Sequence, residues 1–210
     1  MAIDESIVES VASDGMPVLR FYEWNPQAVS IGHYQKVREA LNMRECRAEG
    51  ADVVRRITGG GAAYHEEGVS FSAIAPSYLF SAYLESCMRE ASLTLVRALA
   101  TMNVKVEFEP PDRITEGGKR VAWLSSTLVK NVALVQCFIF TGTRKNMFLR
   151  GAVGKEETSF VAAEKKNVEE SIIRAFCEGD CKPSALTRSE KSRVAMLCGK
   201  YSGDEWTYLR

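Results

Sequence analysis

Two adjacent arginines close an apolar run, Val53-Val54-Arg55-Arg56-Ile57. A hydroxyl and three glycines follow, Thr58-Gly59-Gly60-Gly61, and then Ala62-Ala63-Tyr64-His65. These residue types suit an anion. Guanidinium groups give charge-assisted, often two-pronged hydrogen bonds to phosphate or carboxylate. Glycines let a ligand touch the main chain and let backbone N–H groups converge on negative charge. Two common nucleotide loops are excluded by spelling. No Gly-Lys-Ser/Thr follows, as a Walker A loop requires, and the glycines lack G-x-G-x-x-G spacing, with a strand rather than a helix after them. The bland alternative is a glycine-rich turn with two surface arginines. Three glycines between apolar strands are costly, however, unless something must approach closely.

The elements that position this segment are legible from periodicity. Ile3, Ile7, Val8 and Val11 share one face of a helix over 2–13, stopped by Gly15 and Pro17. Strands are expected over 18–22, 28–32 and 52–58, with a short charged helix over 37–48. Val69-Ser70-Phe71-Ser72-Ala73-Ile74 alternates as a strand. Leu84, Met88, Ala91, Leu95 and Leu99 form the core stripe of a long helix over about 80–102. A strand over 104–108 ends at Pro110-Pro111, Ile114 opens a hairpin-like unit with Gly117-Gly118 at its turn, and strands follow over 119–129 and 133–140. A helical turn is expected at 146–150, and helices at 167–178 and 187–199. The order is that of an α+β fold, with mixed, mostly antiparallel β-sheets flanked by helices.

Composition narrows the function. The chain has 210 residues, 46% hydrophobic and 26% charged, with 27 Lys+Arg balanced by 27 Asp+Glu. Zero net charge argues against nonspecific nucleic-acid binding. The absence of any apolar run of about 18 residues argues against a membrane span. No signal peptide is visible, so a single cytoplasmic domain over 1–210 is expected. Cys46, Cys87, Cys137, Cys177, Cys181 and Cys198 form no compact framework and are expected mostly as buried free thiols.

The segment from Arg55 to His65 resembles the signature of the lipoate–protein ligase A family, Arg-Arg-x-Ser/Thr-Gly-Gly-Gly-Ala-Val-Tyr/Phe-His. Met1-Ala2-Ile3-Asp4-Glu5 is similar to the family's first helix. Leu19 to Trp24 and Val29 to Gln35 are similar to its next strands, and Lys200-Tyr201…Glu205-Trp206 to its closing motif. The resemblance implies the biotin/lipoate ligase catalytic-domain fold. It also implies activation of lipoate by ATP with Mg²⁺, giving lipoyl-adenylate. The lipoyl group then passes to a lysine of an acceptor domain, on the E2 component of a 2-oxoacid dehydrogenase or on a glycine-cleavage H protein. In the same way it implies that Gly59, Gly60, Gly61 and Ala62, with Tyr64, His65 and Asp112, line the substrate and ATP slot. Arg55, Arg56 and Thr58 would hold phosphate there. By the same resemblance the chain is expected to be the catalytic domain alone, without the C-terminal accessory domain, which in some members is a separate subunit.

The chain departs from the family in one half of the site. The family lysine in Gly-x-Lys-Ile/Val-x-Gly aligns with Arg120 of Gly118-Lys119-Arg120-Val121-Ala122-Trp123, and the family glycine with Trp123. Lys119 stands one residue early, and a one-residue slip turns a strand side chain to the opposite face. Lys119 and Arg120 are therefore both candidates for the catalytic cation, Lys119 only if a bulge or the turn repositions it. Octanoyltransferases of the superfamily use a cysteine nucleophile. Neither of its two places, around 107–112 or around 150–154, holds a cysteine here, and Cys137 reads as core. An ATP-independent octanoyl or lipoyl transferase, or a weakened lipoyl-binding member, is the alternative.

Overall fold

The computed structural model describes residues 1–65, 67–80, 83–142, 157–177 and 181–208. The expected turn at 146–150 and the second cysteine place at 150–154 lie outside these residues. Helix α1, Ala2–Asp14, ends at Gly15, whose φ of 72° lets its N–H close the last turn on the Val11 carbonyl. Strands β1, Val18–Tyr22, and β2, Ala28–Ile31, follow. The helix expected over 37–48 is two pieces, α2, Val37–Ala40, and α3, Met43–Ala48. Asn42 causes the break: its side-chain oxygen accepts from the Arg44 and Glu45 N–H groups and caps α3.

Strand β3 is Asp52–Arg55, β4 Ala63–His65 and β5 Gly68–Pro76. β3 stops short of the expected Thr58 because the main chain turns into the glycine loop at Arg56. Helix α4 is Leu84–Ala100, followed by β6, Glu107–Glu109, and β7, Arg113–Glu116. The long pair β8, Lys119–Val129, and β9, Val132–Phe140, comes next. Helices α5, Lys165–Phe176, α6, Arg188–Ser202, and α7, Asp204–Thr207, complete the chain.

Six strands form one antiparallel sheet in the order β1-β5-β9-β8-β7-β6. A second sheet, β3-β2-β4, pairs β2 parallel to β3 and antiparallel to β4. The central strand β9 is buried at every residue because both of its faces are covered. On one face Val135, Cys137 and Ile139 pack with Leu95 and Leu99 of α4 and Val168 and Ile172 of α5. On the other, Phe138 and Phe140 meet Val29, Ile31 and Tyr64 of the small sheet, while Leu134 packs under Ile7, Val8 and Val11 of α1. This α+β arrangement agrees with the mixed, mostly antiparallel sheets expected from the sequence.

The thiols differ from expectation at one place. Cys177 and Cys181 are joined as a disulfide just beyond α5, whereas Cys46, Cys87 and Cys137 are free and buried and Cys198 is free and exposed. Among the described residues no helix is long and apolar enough to cross a membrane.

Candidate functional site

The glycine loop sits where the two sheets meet. Gly59 donates its N–H to the Ser126 carbonyl of β8, and Gly60 takes a φ of 83° that side-chain-bearing residues rarely adopt. Gly32, at the end of β2, lies directly beneath: a Cβ there would stand 2.1 Å from the Gly60 carbonyl oxygen. Gly32→Ala is therefore expected to displace the loop and cost about 2 kcal/mol, in the range of core overpacking. Denaturant unfolding checks this, and an unchanged midpoint would show that the loop has room to yield.

The two motif arginines have different tasks. Arg55 is fully buried and turns toward the C-terminal region. Its Nη1 donates to the carbonyls of Gly32, His33 and Gln35, at 3.0, 2.9 and 2.7 Å. Its Nε and Nη2 donate to the carbonyls of Trp206 and Thr207. Trp206 returns its indole N–H to the Arg55 carbonyl at 3.0 Å. The closing motif is thus a clasp, reinforced where Lys200 and Tyr201 both reach Glu5 of α1. Arg55 is a pin of the fold, which corrects its expected role as a phosphate ligand.

Arg56 holds the glycine loop. Its Nη2 donates to the carbonyls of Gly59 and Gly61, its Nη1 to Ser30 Oγ at 2.6 Å, and its Nε to Thr58 Oγ1 at 3.2 Å. Burial lowers its pKa to about 10, so it stays charged near neutrality. Thr58 continues the network. Its hydroxyl lies 3.0 Å from Ser125 Oγ and donates to Gln136 Oε1, and Gln136 Nε2 donates to Asp4 of α1. Asp4 is fully buried and also receives Arg20 and Ser72. Arg56 gives four of its five N–H groups to the chain's own oxygens and Thr58 gives its hydroxyl proton to Gln136, so the second Nη1 N–H of Arg56 is what this pair has left for a ligand.

His65 is 6% exposed and lies between aromatic walls. Its ring stacks on Trp24 at 4.1 Å and meets Phe138 edge-on at 5.0 Å. Nε2 is 2.6 Å from Ser30 Oγ. Burial, and then the nearby Arg56 charge, push its pKa well below the usual histidine value, so the ring is neutral. Below pH of about 6.5 the unfolded chain takes up a proton at this position and the folded chain does not. Stability should then fall by about 1.4 kcal/mol for each pH unit, a slope that His65→Gln removes. Unfolding free energies measured between pH 7 and pH 5 test this, and equal slopes for the two chains would refute it.

The catalytic-cation candidates are separated by a bulge. Ile114 pairs with Ala122 and Thr115 with Arg120, so Val121 is an extra residue in β8. Val121 and Ala122 both pack into the main core, and the slip brings Arg120 to the face that carries Trp123. The guanidinium lies 4.0 Å above the Trp123 ring and donates to the Asp112 carbonyl at 3.4 Å. A bulge is present, then, but it delivers Arg120 and not Lys119. Lys119 is exposed and pairs with Glu157 at 3.5 Å, outside the site.

These groups enclose a cavity bordered by Tyr22, Trp24, Ser30, Arg56, Gly61, His65, Asp112, Trp123, Gln136 and Phe138. It holds about 20 Å³, space for one water-sized group. Gly59, Gly60 and Ala62 belong to the loop above it, and Tyr64 packs behind it against Phe140. Sequence reasoning placed Trp123 in this half of the site but did not find Trp24, Ser30 or Asp4 as parts of it. The available signal was a serine inside an otherwise apolar strand, Val29-Ser30-Ile31, and an aspartate on the buried face of α1.

Residues 1–175 match the lipoyl protein ligase A/B catalytic domain, and the chain belongs to that family. An octanoyltransferase, LipM, of Moorella thermoacetica is 28% identical over 254 residues, an alignment covering 100% of this chain and 93% of the relative. The LipM octanoyltransferase of Staphylococcus aureus is 25% identical, covering 100% and 94%. Among solved structures, that of a T. acidophilum protein assigned as a lipoate protein ligase, with bound lipoic acid, superposes with a TM-score of 0.87 at 26% identity, over 99% of this chain and 92% of that one.

These findings establish the family and the lipoate-ligase type of catalytic-domain fold. They correct the expected activity. The curated relatives matched over the full chain are named octanoyltransferases, so an ATP-dependent, AMP-forming ligase is not the reading they support.

Proposed function

We propose that this chain moves an already activated eight-carbon acyl group, octanoyl or lipoyl, onto a lysine of a lipoyl-acceptor domain without ATP. The observation that carries this reading is that Arg55 and four of the five Arg56 N–H groups are committed to the protein's own oxygens. An acyl thioester needs no phosphate site. The full-length similarity to octanoyltransferases supports the same reading.

In such a transfer the acceptor amine attacks the thioester carbonyl, a C–N bond forms, the C–S bond breaks, and the amine proton leaves with the carrier thiol. The chain's contribution is positioning and exclusion of water. Trp24, Phe138 and Trp123 supply dry walls.

A covalent relay through cysteine is disfavoured. Cys137 borders the cavity, but burial pushes its thiol well above its ordinary pKa, so little thiolate is present. The replacement of the family lysine and glycine by Arg120 and Trp123 favours a second reading, a lipoyl-binding member with weakened catalysis.

One experiment separates them. Octanoyl carrier protein and a lipoyl-acceptor domain are incubated with this chain, without nucleotide, and intact masses are read. Acyl transfer to the acceptor supports the transferase. Retained acyl-ligand binding without transfer supports the second reading. Transfer that appears only on adding ATP overturns both.

A further inference from the structure

Two buried donors on the cavity wall lack acceptors among the described residues, His65 Nδ1 and Trp123 Nε1. The proton on His65 can be assigned. Ser30 Oγ accepts from the Arg56 guanidinium, which only donates, and its own proton then goes to His65 Nε2. With Nε2 accepting and the ring neutral, the proton sits on Nδ1. Indole Nε1 is a donor by nature. Buried donors without partners are uncommon in folded chains, and two on the wall of one cavity call for a shared acceptor. The cavity has room there for a group the size of one oxygen.

We propose that His65 Nδ1–H and Trp123 Nε1–H form a two-donor receptor for the carbonyl oxygen of the acyl group. The proposal rests on the reading that the site takes an octanoyl or lipoyl group, and it names the atoms that recognise it. Neutral donors match a neutral thioester carbonyl. Arg120, stacked on the indole face, fixes the plane of Trp123 and so the direction of its N–H.

The test compares two probes of equal length, S-octanoyl-N-acetylcysteamine and the thioether S-octyl-N-acetylcysteamine, which lacks the carbonyl. Calorimetry on the intact chain should show the thioester binding about tenfold more tightly, the net worth of one to two neutral hydrogen bonds. Trp123→Phe keeps an aromatic ring but removes the donor. It should cut the tenfold preference for the thioester to about threefold, because His65 Nδ1–H still donates, while thioether affinity stays within about twofold, which also certifies the fold. In ¹⁵N-resolved NMR the indole signal lost in Trp123→Phe should move downfield with the thioester and stay in place with the thioether. Equal binding of both probes to the parent chain, with that signal unmoved, overturns the receptor and leaves acyl binding standing. Failure of both probes to bind overturns the acyl reading, and the receptor with it.

Discussion

Arg55→Lys is expected to destabilise the chain by about 4 kcal/mol, lowering Tm by on the order of 10 °C. The arginine is fully buried and bridges carbonyls from two separated regions, Gly32, His33 and Gln35 on one side and Trp206 and Thr207 on the other. A lysine carries the charge with three donors on one nitrogen and cannot span both groups. Carbonyls left without donors in the interior then bear their desolvation cost. Differential scanning calorimetry provides the measurement. A Tm within 2 °C of the parent would mean that the clasp contributes little and that Arg55 is spare for another task.

Asp4→Asn is the second large effect, about 3 kcal/mol. Every group facing this carboxylate is a donor: Arg20 Nη1 at 2.6 Å, Ser72 Oγ at 3.0 Å and Gln136 Nε2 at 2.7 Å. An amide must turn its own NH₂ toward one of them and leaves the Arg20 charge without its counter-ion. The loss should travel, because Gln136 holds Thr58 and Thr58 receives Arg56, which supports the glycine loop. Acyl binding should therefore weaken together with stability. The exposed pair of Glu9 with Lys130 is the internal control: Glu9→Gln should cost less than 1 kcal/mol, as surface pairs do. Comparable losses for the two variants would show that the Asp4 network is not the coupling between α1 and the loop.

Local periodicity made most of the architecture legible. The alternation at 69–74 and 133–140 and the helical stripe from Leu84 to Leu99 each encode a face, and each face found its partner. Asn42 and Glu45 also carried a readable signal, a side-chain cap with an acid three residues on, which divides the segment 37–48. What stayed hidden depends on partners far along the chain. The placement of Arg120 over Trp123 follows from a register shift against β7, and one strand's sequence does not specify its neighbour's register. The task of Arg55 depends on carbonyls more than 150 positions away, and backbone carbonyls have no sequence signature. The glycine run was legible as a special backbone segment, and the structure gives it a turn with positive φ at Gly60 over the closely packed Gly32. The resemblance implies phosphate roles for its arginines, whereas the structure gives most of their N–H groups to the chain's own oxygens.

The clasp between Arg55 and the segment at Trp206 also sets an order of events during synthesis. The glycine loop and its arginines leave the ribosome early, but the oxygens that Arg55 requires are made 151 and 152 residues later. Until then a buried-type guanidinium has no acceptors on one side, and the small sheet that carries it cannot settle. Formation of this site is therefore a late step governed by long-range closure rather than by local strand pairing. A nascent chain arrested before residue 206 should carry the complete glycine motif and still lack the ordered loop.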